Sequence, residues 1–426
     1  MDTTREWAIR KDRDDPLRRF RERFYIPEGC VYMDGNSLGL ASRDAEACIL
    51  RVLKEWKTLG IHGWLDAKPS WFTFPEHAGK LMAPLIGAKA EEVVLAASTT
   101  ANMHVLVATF YRPEGTRKKI LADELNFPSD LYALSSQIAL RGGNTKENLI
   151  LARSSDGHTL DEDEIIRLMD DSVALVLLPS VLYRSGQLLD MERLTRAAHD
   201  RGIPVGFDCS HSVGSVPHRF DAWGTDFAFF CSYKHLNGGP GAPAFLYVNE
   251  RHFGTAPGLA GWFGFRKERQ FDMALEFDPQ PTAGAWQLGT PHMMSAAAVE
   301  GSLRMFDEAG IDSIRRKSLE LTTYFMDLID ETLSRSPYDY SYATPRDEAR
   351  RGGHVAVEHP REALRICEAL KARGVVPDFR PERVIRIAPV ALYSTFEDVW
   401  RVAQALKEII DLREYERFGK GRKAVS

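Results

Sequence analysis

The feature that most restricts this chain is a repeated alternation. Short apolar runs stand at 92–97 (EVVLAA), 118–122 (KKILA), 148–152 (NLILA), 173–179 (VALVLLP), 203–207 (IPVGF), 226–231 (DFAFFC) and 244–248 (AFLYV). Several are continuously apolar, the pattern of strands buried on both faces. Between most of them lie segments with helical spacing, such as 127–141, 160–170 and 191–201. Strands alternating with helices predict an α/β fold: a mainly parallel seven-stranded sheet with helices on both faces. No G-x-G-x-x-G follows the first run, which argues against a dinucleotide fold.

The remainder of the chain reads differently. Residues 1–30 mix acidic and basic side chains and predict an arm or short helix, with a dimer-contact arm as the functional alternative. A helix is expected at 44–58, and 62–72 (HGWLDAKPSWF) reads as a loop. The text from 295 to 335 is helical and long, and 336–352 is a polar loop. A strand (354–358), a helix (361–373), two strands (375–379 and 384–388) and a final helix (395–412) then make a smaller α+β domain. The expected division is an N-terminal segment 1–45, a large domain 46–305 and a small domain 306–426, which part of the N-terminal segment could join. The charged tail from Glu414 reads as frayed.

The densest chemistry lies in 203–241. One apolar run ends on Asp208, and the next ends on Ser232–Tyr233–Lys234, followed by the turn Gly238–Gly239–Pro240–Gly241. Strand carboxyl ends are where open parallel sheets bind ligands. Two such ends would bring together an acid, the His211 imidazole, a phenol and an amine. A desolvated lysine is a nucleophile that forms Schiff bases with carbonyls, pyridoxal phosphate (PLP) among them. PLP needs a carboxylate beside its pyridine nitrogen, and Asp208 fits. The plainer reading is a buried Asp–Lys ion pair. Asp208, Cys209 and His211 do not make a metal site, because alternate strand residues face opposite ways, and no metal is expected.

Other segments are read in the same way. Ser98–Thr99–Thr100 opens a helix just after the first strand, so its hydroxyls and N–H groups could cradle a phosphate; a simple Ser/Thr N-cap is the alternative. Asp34, Gly35, Asn36 and Gly39 cluster in a turn. Trp64 and Trp71 are either packing residues or ligand contacts, and so is Trp262 in the glycine-spaced stretch 258–268. Thr290 precedes Pro291, a helix-start signal. Arg386, alternating with apolar residues in VIRIAP, is a snorkelling edge residue or an anion clamp.

Composition excludes several classes. The 426 residues are 44% hydrophobic and 27% charged with a formal net charge of −5, so neither nucleic acid nor a polyanionic surface is implied as partner. No apolar run is long enough to span a membrane. Five cysteines without a C-x-x-C pair fit a reducing compartment, and the cytoplasm is expected.

These residues have a family likeness. FDCSHSVGSVPH (207–218), WGTDFAFFCSYKHLNGGPG (223–241), GLAGWFG (258–264), QLGTPH (287–292), YMDGNSLG (32–39) and NFPSDLYAL (126–134) resemble kynureninase, a PLP enzyme of the aspartate-aminotransferase fold (PLP-dependent fold type I). The likeness runs from about Val31 to about Val399. It implies hydrolysis of L-kynurenine to anthranilate and L-alanine in tryptophan degradation, by a homodimer with sites at the interface. It further implies Lys234, Tyr233 and Asp208 as catalytic residues. Cofactor contacts would come from Thr99, Thr100, Phe127, Ser129, Asp130, Asp208, His211, Tyr233, Lys234, Trp262 and Thr290. Substrate contacts would come from Arg386, Trp64, Asn36 and Gly289.

The chain departs from the family in places. Ser210 replaces a usual alanine, and Pro179 stands where a serine is expected, so no role is assigned there. Trp64 and Gly289–Thr290 replace a His and a Ser–Asn pair of vertebrate members, which implies preference for kynurenine over its 3-hydroxy form. Two rival readings are another fold-type I enzyme, cysteine desulfurase-like or β-eliminating, and a non-catalytic PLP-binding homologue. The first would need a thiol on a mobile loop, whereas Cys367 lies in a helical pattern.

Overall fold

The computed structural model describes residues 2–421; the last five residues of the charged tail lie outside the described range. All seven apolar runs are strands of one sheet. Its order is Val93–Leu95, Phe245–Val248, Phe227–Phe230, Val205–Asp208, Val173–Pro179, Lys119–Asp123, Leu149–Ala152. Phe245–Val248 runs antiparallel to both neighbours, and the other pairings are parallel.

Period-two geometry divides each strand between two cores. Val176, Leu178, Phe207, Ala228 and Phe230 join one cluster, while Leu175, Leu177, Phe227 and Phe229 join the other. Each fully buried aliphatic or aromatic side chain contributes roughly 1.5–3 kcal/mol. That is why these runs carry no polar residue until the strand ends, where Asp123 and Asp208 emerge.

A second body contains an antiparallel sheet in the order Asp378–Arg380, Val384–Ile387, Val355–Glu358, Ser341–Tyr342. Helices Ile311–Leu328, Ala363–Ala372 and Phe396–Asp411 cover it. The N-terminal helix Arg5–Asp14 packs here. Trp7 lies 4.7 Å from the Tyr324 ring, and the Asp12 carboxylate accepts from the N–H groups of Phe396 (2.7 Å) and Glu397 (2.9 Å), at the start of the last helix.

Three expectations are refined. The helical text 295–335 divides into Met293–Ala309 and Ile311–Leu328, because Gly310 takes φ +76° between them. The expected strand 375–379 splits at Pro377, which has no N–H to give a ladder. Val375–Val376 pairs with Val31–Tyr32, and Asp378–Arg380 joins the other sheet. The expected loop 62–72 instead holds helical turns at Gly60–His62, Gly63–Asp66 and Trp71–Thr73. Burying the Trp71 ring, whose Nε1 donates to Glu55 (3.2 Å), compacts this stretch.

Candidate active site

The strands Val205–Asp208 and Phe227–Phe230 are parallel neighbours, so their carboxyl ends lie side by side. Hydrogen bonds hold the segments leaving those ends together. Cys209 N–H donates to the Phe229 carbonyl (2.9 Å), and Ser180 N–H donates to that of Asp208 (2.8 Å). The Asp208 carboxylate accepts from Ser210 N–H at 2.8 Å, and Ser210 Oγ accepts from Cys231 N–H at 3.3 Å. Ser210 thus ties one strand end to the other.

Lys234 Nζ sits 2.9 Å from His211 Nε2. Burial, then the charges of Lys234 and Arg386, push the His211 imidazole well below its ordinary range. A neutral ring so placed accepts from the lysine. Asp130 is buried beside Asp208. Desolvation first, then the Asp208 charge, hold its carboxyl well above the ordinary range. The Tyr233 phenol is also pushed up, by burial and by Cys231. The Tyr233 carbonyl accepts from Gly39 N–H at 2.7 Å. A Cβ on Gly39 would lie 2.5 Å from the Lys234 carbonyl, so only glycine lets the N-terminal turn approach this closely.

The hydroxyls converge nearby. Ser98 caps helix Thr99–Phe110, accepting from Ala101 N–H (3.4 Å), and Thr100 Oγ1 lies 2.9 Å from Ser129 Oγ in the first turn of helix Pro128–Leu140. Two helix N-termini therefore point their free N–H groups toward one place, beside Phe127. The Phe127 ring stands edge-on to Tyr183 (5.3 Å) and lies 6.0 Å from Lys234 Nζ.

Arg386 is 1% exposed. Its Nε donates to Asp378 Oδ2 (2.6 Å), Nη1 to the Tyr183 carbonyl (2.8 Å) and Nη2 to Ser37 Oγ (3.0 Å), with a further Nη2 contact to Asp378. The adjacent Asn36 is fully buried, and neither end of its amide has a partner in the chain, which leaves it one donor and one acceptor for a bound molecule. Asp34, in the same turn, is pushed up to about 6, chiefly by burial.

Trp64, Trp262 and Thr290 form a separate group. With Ile61, Phe72 and Phe271 they line a cleft of about 520 Å³. Gly289 adjoins it, open enough that an added Cβ would touch nothing within 4 Å. Among the described residues, no hydrogen bond or ring contact joins this cleft to Lys234. Sequence reading missed Tyr183, Asp378, His235 and His354, all of which flank Arg386 or Lys234. For Asp378 a signal existed: it stands directly opposite Arg386 across the hairpin.

These residues fit PLP. A lysine bonded to a neutral imidazole, a buried pair of carboxyl groups, an exposed aromatic face and hydroxyls at two helix N-termini match an aldehyde, a pyridine nitrogen, a flat ring and a phosphate. Fold and site together define a PLP-dependent enzyme of fold type I. Solved structures share the fold. The apo cysteine desulfurase of Thermococcus onnurineus NA1 matches with a TM-score of 0.77 at 19% identity, covering 92% of this chain and 98% of that one. A C-DES variant with glycine covalently linked to the PLP cofactor gives 0.78 at 14%, covering 91% and 98%. Sequence identifies the particular family. Residues 314–406 match the kynureninase C-terminal domain. The chain is 53% identical to the kynureninase of Geobacillus thermodenitrificans, over 100% of this chain and 99% of that protein. It is 55% identical to that of Shouchella clausii, over 99% and 98%. The chain belongs to the kynureninase family.

Proposed function

We propose that this chain hydrolyses L-kynurenine to anthranilate and L-alanine, a step in tryptophan breakdown, with PLP held at Lys234. The observation that carries this reading is the Lys234–His211 contact beside the Asp208–Asp130 pair, in a chain related to kynureninases along its whole length.

When bound, PLP supplies the electron sink that lets the substrate's Cα–H and then its Cβ–Cγ bond break. The chain's residues do the rest. The free Lys234 amine takes the Cα proton, and His211 orients that amine. Asp208 would hold the proton on the pyridine nitrogen, with the Asp130 carboxyl, raised by burial, beside it. Thr99, Thr100 and Ser129 would bind the phosphate. Arg386 would turn the end of its fork from Ser37 and the Tyr183 carbonyl to the α-carboxylate. Water adds at the γ-carbonyl and leaves in the carboxyl of anthranilate; Tyr233, its phenol kept protonated, is the candidate donor to the carbon that leaves as alanine.

The exposed apolar surface around Ile61, Leu65, Trp262, Phe271 and Leu275 supports a homodimer in which Trp64, Trp262, Gly289 and Thr290 complete the partner's site. We take the chain to comprise an N-terminal segment (1–45), part of which joins the small body, a large domain (46–305) and a small domain (306–426); limited proteolysis would test this division. No described helix is long and apolar enough to cross a membrane. The free cysteines support the reducing cytoplasm as its place of work. Cys367 is buried, with its thiol pushed up to about 12, which does not suit a desulfurase nucleophile.

The test is anthranilate fluorescence after L-kynurenine is added to the PLP-loaded protein. A rise matched by alanine, and slower with the 3-hydroxy substrate, is expected. No anthranilate from a loaded protein would overturn the reading in favour of another β-substituted amino acid or a non-catalytic homologue.

A further inference from the structure

Behind Lys234 lies a group of three histidines that the reaction leaves almost unused. His211, His235 and His354 come from three segments: the loop after Val205–Asp208, the residue after Lys234, and the residue before strand Val355–Glu358. All three are buried. The His211 and His354 rings lie 6.2 Å apart at 62°. Four of their ring nitrogens are buried with no hydrogen-bond partner within the chain: His211 Nδ1, His235 Nε2, and both nitrogens of His354. The Arg184 carbonyl lies near His354 but makes no aligned hydrogen bond.

Buried polar atoms are almost always satisfied, by water if not by protein. A ring separation of 6.2 Å suits one bridging water better than a direct N–H···N contact. Tautomer logic then links the group to Lys234. His211 Nε2 accepts from Lys234 Nζ, so the ring proton is on Nδ1, and that N–H needs an acceptor. His354, with its ring centre 6.2 Å from that of His211 and both nitrogens without a partner in the chain, is a neutral acceptor within reach of one water. The positive charges facing the group are Lys234 and Arg386; the nearby carboxyl groups are Asp208 and Asp130, and Tyr183 presents its ring to His211 at 6.4 Å. Burial and the two cations keep all three imidazoles uncharged, with His235 pushed down to about 3.

We propose that His354 is a positioning residue: through bridging water it fixes His211 in the tautomer that accepts from Lys234 Nζ, and so sets the proton affinity of that amine. This rests on the reading of Lys234 as the cofactor lysine and as the base at Cα.

The test compares His354→Leu and His354→Gln, both loaded with PLP. Leu removes both ring nitrogens, whereas Gln keeps a donor and an acceptor for water but cannot titrate. The readouts are the pH titration of the lysine-bound cofactor absorbance without substrate, and the pH profile of kcat/KM. In H354L the absorbance midpoint should move by at least about half a pH unit, roughly threefold in proton affinity. Its kcat should fall by at least about tenfold, with KM changing less. H354Q should restore the midpoint and most of kcat. A wild-type midpoint and profile in H354L would overturn the proposal, and so would H354Q behaving like H354L. If H354L does not fold, nitrogen-15 NMR of His211 in the loaded wild type decides: a proton on Nε2 instead of Nδ1 refutes the proposal. If the wild type never shows the lysine-bound absorbance, the reading of Lys234 fails and this proposal with it, whereas a wild type that shows it beside an unshifted H354L overturns the role of His354 alone.

Discussion

Arg386 offers the sharpest test of substrate binding, because its surroundings allow charge, geometry and folding to be separated. Four contacts hold its guanidinium: two to Asp378, one to the Tyr183 carbonyl and one to Ser37. Asp378 bonds Nε and shares Nη2 with Ser37, so the terminal fork otherwise meets two neutral acceptors that a carboxylate would outcompete. Hydrogen bonds to charged groups contribute about 1.5–3 kcal/mol each. Two of them to an α-carboxylate are therefore worth about 3–6 kcal/mol, less the lost contacts to Ser37 and Tyr183. At about 1.4 kcal/mol per tenfold, Arg386→Leu should lower kcat/KM by roughly 10²–10⁴. Arg386→Lys keeps the charge but loses the fork, so roughly 10–10² is expected. Folding is a separate matter. Removing a partner from a buried ion pair typically costs about 3–5 kcal/mol, but Asp378 also accepts from Arg380 Nε at 2.8 Å, so R386L should fall below that range. Steady-state anthranilate fluorescence gives the kinetics, and thermal unfolding of the loaded protein checks integrity. A folded R386L whose kcat/KM changes less than about threefold would refute the clamp.

Further predictions rest on the same geometry. Lys234→Ala should abolish turnover and the lysine-bound absorbance of the cofactor; retained turnover would sink the assignment. Asp208→Asn should still take up PLP but lose at least about 10² in kcat, since a neutral amide cannot hold the pyridinium charge; a near-normal rate removes that role. Asp123 is fully buried, and desolvation pushes its carboxyl up to about 7. Its folded state therefore binds a proton more tightly than the unfolded state, so this group's contribution to stability falls as pH rises from about 4 to about 7. Asp123→Asn should remove that slope and stabilise the protein above pH 7, by at most about 4 kcal/mol; a variant less stable than wild type at pH 8 but not at pH 4 contradicts the argument. Leu275→Glu on the exposed apolar surface should shift the protein toward monomers in analytical ultracentrifugation and lower activity in parallel. An unchanged dimer would move the interface elsewhere.

The sheet was legible because both its faces are buried. Runs such as Val173–Pro179 had to be continuously apolar, so their number could be read directly, though not their order in the sheet. The second body was harder. Its elements were visible, but Pro377 divides a continuous apolar stretch between two sheets, and the parallel pairing of Val31–Tyr32 with Val375–Val376 joins segments more than 300 residues apart. Nothing local encodes such a pairing. Asp208, His211 and Lys234 were readable for the opposite reason: Asp208 closes an apolar strand and the other two follow shortly after apolar strand ends, where a buried polar residue needs a function or a partner. Family likeness then gave expectations for Phe127, Trp64, Trp262 and Thr290 that no local pattern supplied.

What stayed hidden has a physical pattern. The Tyr183 carbonyl that holds Arg386 is backbone, and any residue at that position has one. His354 looks like an ordinary residue before a strand, and His235 like a neighbour of the lysine; only burial without partners sets them apart. Asp378 was hidden by counting, not by chemistry. The hairpin between Asp378–Arg380 and Val384–Ile387 places Asp378 opposite Arg386, and opposite charges directly across an antiparallel pair are a recognised stabilising arrangement. Here that pair is buried, so its cost of desolvation is high and its net stabilisation small. Beyond Asp378, its Nη1 and Nη2 reach only the neutral Tyr183 carbonyl and Ser37 hydroxyl, the arrangement that the proposed clamp requires. Asn36, whose buried amide has no partner in the chain, is the second group that a substrate with a carboxylate and an amine would satisfy under the proposed function.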